Sequence, residues 1–242
     1  MQLLVPMAGE GRRFKDAGIT TPKPFIQVRG EWMLSWALKS FDLSRIRKII
    51  FLVLKRHDAE SDAVRKLKER YGAKCDCVIV DRVTEGAACT LLLAKRYINT
   101  DEDIICKDSD GYIISKIQET ISKHLESGIS GILSTVTIPE GDNYSFAREG
   151  ADGFVAEVAE RKRISDKVIT GMYYFRHGSD FVRYAERMIA KNKRVNGEFY
   201  VAPVFQEMIE DGKKIVIDEV RALWDLGKPE TLEYFLRNYP AA

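Results

Sequence analysis

The stretch that most constrains this chain is its opening, residues 1–24. Gln2-Leu3-Leu4-Val5-Pro6-Met7 is an apolar run too short for a helix of its own, cut off at once by Ala8-Gly9-Glu10-Gly11. That pattern predicts a buried parallel strand feeding a tight turn. The two glycines and the alanine let backbone N–H groups approach a polyanion without side chains in the way. Arg12, Arg13 and then Lys23 supply cations. Pro22 and Pro24 restrict the backbone on either side of Lys23, so this lysine loses less freedom when it meets a phosphate. Together these features predict a triphosphate cradle. A dinucleotide fingerprint is excluded, because Phe14 stands where its third glycine belongs. A Walker loop is excluded as well, since Gly-Lys-Ser/Thr does not occur.

Segments 48–54, 75–80 and 103–106 read as further buried strands, with helices expected over 31–41, 58–71 and 86–97. Strands alternating with helices predict right-handed crossovers and a mainly parallel central sheet with helices on both faces. After residue 128 the rhythm changes. Strands are expected at 131–138, 167–175 and 214–217, helices at 179–191, 199–210 and 229–239, and a small β arm around 140–165. Residues 1–242 thus read as a single α/β domain with that arm inserted, long enough to bury one sizeable core.

In a parallel sheet, ligands gather at the carboxyl ends of the strands. Strand 75–80 leads through Asp81 to Thr84-Glu85-Gly86-Ala87-Ala88. These small residues either receive a flat base or simply pack a helix against the sheet. Strand 103–106 leads into Lys107-Asp108-Ser109-Asp110, where alternate carboxylates share a face and could address one hard cation. Acidic surface turns look the same. Near the C-terminus, Trp224-Asp225-Leu226-Gly227-Lys228-Pro229 reads as a strand, a turn and a proline-started helix.

Taken in order, these segments resemble the sugar-phosphate nucleotidyltransferase family, the pyrophosphorylases that make nucleotide-activated sugars. Gly9, Gly11, Arg13, Phe14, Pro22, Lys23 and Pro24 fit its opening, Gly-x-Gly-Ser/Thr-Arg-Leu/Phe followed by Pro-Lys-Pro. Arg12 departs, standing where the family has Ser or Thr. The resemblance implies a Rossmann-like nucleotidyltransferase fold with Arg13 and Lys23 as catalytic cations. It implies nucleotide contacts at Ala8, Gly9, Gly11, Arg12, Gly86 and Ala87, and at Asp81, where some relatives hold a pyrimidine with Gln. It also implies Mg²⁺ held by Asp110 and Asp225, with Asp108 as partner or competitor.

On the acceptor side, residues 157–162 resemble a Glu-Lys stretch, so either Arg161 or Lys162 meets the acceptor phosphate, strand alternation allowing only one to face inward. Gly171 sits in a segment like Thr-Gly-x-Tyr-x-Phe and would leave room for the acceptor ring. Glu198 would accept a hydroxyl or amine, although Ala202-Pro203 departs from the family pattern that follows it.

The implied reaction transfers a nucleoside monophosphate from an NTP, CTP before UTP or dTTP, to a sugar 1-phosphate or similar phosphorylated small molecule, releasing pyrophosphate. Small members of capsule and surface-polysaccharide pathways are the nearest in pattern. Two rivals stand beside this reading. One is a metal-dependent glycosyltransferase, which also places Asp-x-Asp after a strand; the other is a nucleotide-binding regulatory subunit without catalysis. A net charge of +2 points to neither nucleic acid nor membrane as partner, leaving the NTP and the acceptor, with a homo-oligomer open. Cys75, Cys77, Cys89 and Cys106 lack zinc-site spacing and read as reduced thiols. With no membrane span or signal peptide evident, the cytoplasm is the expected compartment.

Overall fold

Side-chain alternation makes β1 (Gln2–Met7) the centre of the molecule. Leu3 and Val5 enter one apolar cluster, Leu4 the opposite one. The computed structural model describes residues 1–240. After α1 (Arg12–Asp16) come a small hairpin, β2 (Gln27–Val28) with β3 (Glu31–Trp32), and α2 (Met33–Leu38). The alternating half continues with β4 (Lys48–Leu54), α3 (Lys55–Ser61), α4 (Ala63–Tyr71) and β5 (Cys75–Val80). It closes with α5 (Ala87–Leu92), α6 (Lys95–Ile98) and β6 (Ile104–Lys107). β1 lies between β4 and β6, with β5 beyond β4, all parallel.

Two helices expected from periodicity divide. Asp62 adopts φ +50° between α3 and α4. Between α5 and α6, the N–H groups of Leu93 and Ala94 bond back to Thr90 and Leu91, which tightens the turn.

The second half comprises β7 (Gly111–Ile114), α7 (Ile117–His124), β8 (Gly131–Thr137), β9 (Ser145–Glu149) and β10 (Val155–Glu160). Then follow β11 (Lys167–Phe175), α8 (Gly178–Ala190), α9 (Ala202–Glu210), β12 (Ile215–Glu219), β13 (Ala222–Asp225) and α10 (Pro229–Asn238). β11 joins the halves: Met172–Phe175 pairs antiparallel with β6, the other edge with β8, and Val168 meets Phe146 of β9. Sheet order is β10-β9-β11-β6-β1-β4-β5, with β8 and β12 branching from β11. The hairpin β9–β10 is therefore hydrogen-bonded onto the edge of this sheet.

Helices α5, α8 and α9 cover one face, and α2, α4 and α7 the other. A third apolar cluster joins distant parts of the chain. Phe14 from α1, Ile26, Val28, Met33 and Trp36 pack with Leu226, Leu232 and Phe235 from the C-terminal segment. Phe235 is fully buried, its ring edge-on to Trp36 at 5.0 Å and to Trp224 at 5.5 Å. Arg29 closes the assembly by donating to the carbonyls of Leu236, Tyr239 and Pro240. Deleting the Phe235 ring leaves a cavity the cluster cannot fill. Phe235→Ala is expected to lower unfolding free energy by about 3–5 kcal/mol in urea denaturation. A loss below about 1 kcal/mol would show that α10 is held by something else.

Candidate active site

Three strand ends and two loops enclose a cavity of about 450 Å³. Pro6 to Arg12 come from the end of β1, and Lys23 and Pro24 from the following loop. Asp108, Ser109 and Asp110 come from the end of β6; Val83, Thr84, Gly86, Ala87 and Thr90 come from the segment after β5, and Glu198 from the loop before α9. This is the place where an open α/β sheet receives its ligand.

Gly11 holds the first turn, with φ +66°. A Cβ there would lie 3.3 Å from the Lys23 Cβ, so the glycine lets the lysine backbone close in. Lys23 Nζ donates to Asp110 Oδ2 at 2.5 Å, with both side chains about a quarter exposed. Burial works to lower the lysine pKa, but Asp110 outweighs it, and Lys23 ends above its usual value. Burial likewise works to raise the Asp110 carboxyl, and the Lys23 ammonium holds it below the usual range. Arg12 carries a second cation to the wall and pairs with Glu10, Nε to Oε2 at 2.9 Å. Arg13 is exposed and does not line the cavity, so of the arginine pair it is Arg12 that reaches the site.

Asp225 arrives on β13, which pairs antiparallel with β7 so that Asp225 faces Gly111, the residue after Asp110. Between the two carboxylates lies Gly227. A Cβ at that position would meet Asp110 Oδ2 at 2.5 Å and Asp225 Oδ1 at 3.1 Å. Two carboxylate oxygens thus crowd one point that a methyl group would fill. Magnesium is commonly held by one or two carboxylates with water and substrate phosphates supplying the rest, and this donor set fits that pattern. Among the described residues, no group of three or more His, Cys, Asp or Glu side chains could hold a metal by itself.

Asp108 lines the cavity but turns toward β11, where the ladder slips between Ile169 and Tyr173. Gly171 lies in this bulge with φ +76°, and its missing Cβ would stand 2.0 Å from Asp108 Oδ2. The room at Gly171 is therefore taken by Asp108, not left for an acceptor ring. Burial pushes the Asp108 carboxyl up to about 6, against the pull of Lys107. Gly86 lines the cavity, and its missing Cβ also lets another part of the chain approach. That Cβ would lie 2.4 Å from the Phe199 carbonyl oxygen, so the glycine admits the Phe199 backbone, which accepts from Ala88 N–H and donates to Glu85.

Asp81 is well outside the cavity, its side chain 83% exposed and 3.6 Å from Lys55. A strand end places a side chain in the site only if the loop turns inward there, and this one turns inward at Val83. Arg161 and Lys162 both lie beyond β10, so strand alternation does not choose between them. Arg161 has φ +52°, and its guanidinium donates to the Tyr200 hydroxyl, Nη2 to Oη at 3.3 Å; Lys162 is exposed. Neither lines the cavity wall, whereas Glu198 does.

Two residues without a role in the sequence reading belong beside the site. Glu160, at the end of β10, is mostly buried, and burial raises its carboxyl pKa although it accepts a hydrogen bond from Ser145. Lys107 is wholly buried, and burial lowers its pKa against the pull of Asp108, Asp110 and Asp225. The signal for Lys107 was present: a lysine directly continuing the apolar run Ile104-Ile105-Cys106.

A family model described as nucleotidyl transferase matches residues 4–240. The catalytic subunit beta of mannose-1-phosphate guanylyltransferase from Drosophila pseudoobscura pseudoobscura is 22% identical over 232 residues, covering 94% of this chain and 59% of that protein. Its Danio rerio counterpart is 22% identical over 235 residues, covering 95% and 62%. The chain thus spans about three-fifths of the length of these relatives. Among solved structures, a nucleoside-diphosphate-sugar pyrophosphorylase from Vibrio cholerae RC9 superposes with a TM-score of 0.83 at 25% identity, covering 98% of this chain and 100% of that one. A Bacillus anthracis protein described as a glucose-1-phosphate thymidylyltransferase gives 0.80 at 15% identity, over 100% and 97%, a likeness of fold.

The Asp108 shift carries a pH signature. A carboxyl whose folded pKa, about 6, exceeds the ordinary 3.8 binds its proton more tightly when folded. Its contribution to stability is complete below 3.8 and is lost as pH rises through about 6. Wild type should therefore lose stability relative to Asp108→Asn between pH 4 and pH 6.5 in urea titrations without added metal. Parallel pH curves for the two proteins would contradict the shift.

Proposed function

The chain belongs to the nucleotidyl transferase family, and we propose that it transfers a nucleoside monophosphate from an NTP to a sugar 1-phosphate or a similar phosphate ester, releasing pyrophosphate. The observation that carries this reading is the Lys23–Asp110 contact in the wall of the glycine-turn cavity, with Asp225 outside the cavity lining but across Gly227 from Asp110.

The acceptor phosphate oxygen is already anionic and attacks the α-phosphorus directly, so no general base is needed. A new P–O bond forms as the bond to the β-phosphate breaks, and that electron pair leaves on pyrophosphate. The work left to the protein is to bring two polyanions together and neutralise the leaving charge. The Gly9–Gly11 turn cradles the phosphates through backbone N–H groups, while Arg12 and Lys23 meet them as cations. Asp110 and Asp225 would hold Mg²⁺, which would supply positive charge at the reacting phosphates. Glu198 borders the acceptor end, with Glu160 and Arg161 behind it.

The base is read along Val83, Thr84, Ala87 and Thr90. Guanylyl transfer by the relatives favours GTP, whereas the likeness to small capsule-pathway members favours CTP. Asp81, at the position where some relatives hold a pyrimidine with Gln, is exposed and adds nothing to either choice.

One screen tests the whole reading: four NTPs against a panel of sugar 1-phosphates and other phosphate esters, with pyrophosphate as readout. Turnover should appear with one NTP and a sugar 1-phosphate. Lys23→Ala and Asp110→Ala should each cost about 10²–10³ in rate while the proteins stay folded. Release of free nucleoside diphosphate from a sugar nucleotide would point instead to glycosyl transfer. Near-normal pyrophosphate release by both variants would defeat the assignment.

A further inference from the structure

We propose that Lys107 is a permanent internal cation of this site, a positioning residue that compensates the Asp108–Asp110 turn from beneath and sets how strongly the carboxylates draw a divalent ion. The proposal rests on the nucleotidyl-transfer reading above. Lys107 is the last residue of β6 and has 0% exposure. Lysines are almost never fully buried unless their charge is answered. Its backbone pairs with Met172 of β11, and Nζ donates to the Asp108 carbonyl oxygen at 3.1 Å. Among the described residues, no carboxylate lies within 4.0 Å to tie the ammonium into an ion pair. Its charge is therefore shared over the turn.

The slot for the ammonium is opened by another glycine. A Cβ on Gly111 would come within 3.2 Å of Nζ, and Gly111 is the residue opposite Asp225. Lys107 thus underlies the Asp108–Asp110 turn, bonded to it through the Asp108 carbonyl, and its ammonium lies against the position of Gly111, whose partner across the β7–β13 ladder is Asp225. Asp108, Asp110 and Asp225 are set against two lysines, and the two have different freedom. Lys23 faces the cavity and can transfer its contact to a phosphate. Lys107 is sealed behind the turn and cannot. When Lys23 turns to substrate, Lys107 is the compensation that stays. A methionine would fill the same slot without the penalty of burying a charge, so what the lysine adds is its field.

Lys107→Met keeps the stem and removes the charge. The probe is Mn²⁺ without nucleotide at pH 8, followed by the EPR signal of the free ion in wild type, Lys107→Met, Asp108→Asn and the double variant. Lys107→Met is expected to bind Mn²⁺ about tenfold more tightly or better, because the carboxylates lose a nearby positive charge. The double variant should return toward wild type, since removing one carboxylate restores the balance. A folded Lys107→Met with wild-type Mn²⁺ affinity overturns the proposal.

If Lys107→Met does not fold, thermal unfolding decides. Recovery of a cooperative transition in the double variant supports compensation between the two charges, and failure to recover overturns it. If wild type takes up no Mn²⁺, the metal in the proposed function falls. The same Asp108→Asn rescue of the thermal transition still judges Lys107 separately.

Discussion

Phe14, Trp36, Leu226 and Phe235 share one apolar cluster, and the geometry of the cavity depends on it. The cluster lies off the central sheet and joins the segment after the first glycine turn to the last helix of the chain. Without it, β13 would keep its ladder with β7 and the packing of Leu223 on another apolar cluster, and a two-stranded ribbon is marginal by itself in water. Burying large aromatic surface there offsets the entropy of fixing Asp225 against Asp110. The approach of Asp225 to Asp110 is thus set by a hydrophobic contact away from the cavity lining.

Given that scaffold, the charges become interpretable. Glu207, elsewhere in the chain, is fully buried and answered by Arg187, Lys191 and Lys193. That carboxylate already faces three cations. Asp110 has a single lysine on one oxygen, and Asp225 accepts from the Gly227 N–H. Asp110 and Asp225 thus have fewer cationic partners than Glu207, which leaves them freer to take a ligand. The opposed shifts of Asp108 and Asp110 arise in the same way: both are desolvated, and only Asp110 has an ammonium in direct contact.

Gly86, Gly171 and Gly227 follow a common rule. Each leaves space that another part of the protein occupies: the Phe199 backbone, the Asp108 carboxylate, and the paired oxygens of Asp110 and Asp225. Reading a glycine in a motif as room for ligand is natural from a sequence, because the neighbour that fills the space is far away in the chain. Here the glycines bring protein groups together, and the ligand space is what those groups enclose.

The sequence by itself determined the local pieces. Runs of two-residue and helical periodicity located β1, β4, β5, β6 and β11, because a buried strand must be apolar whatever surrounds it. Resemblance to the family's motifs singled out Lys23, Asp110 and Asp225, because those motifs are short and local in the chain. It could not show β7, four residues with no periodicity to read, which gives Asp225 its partner strand. Nor could it show that Arg12 rather than Arg13 reaches the wall, that Asp81 points away, or that Lys107 is sealed beneath the site. Those are matters of which way a side chain turns once its neighbours are in place. That direction is decided by packing among residues a hundred or more positions apart, and only the tertiary structure brings them together.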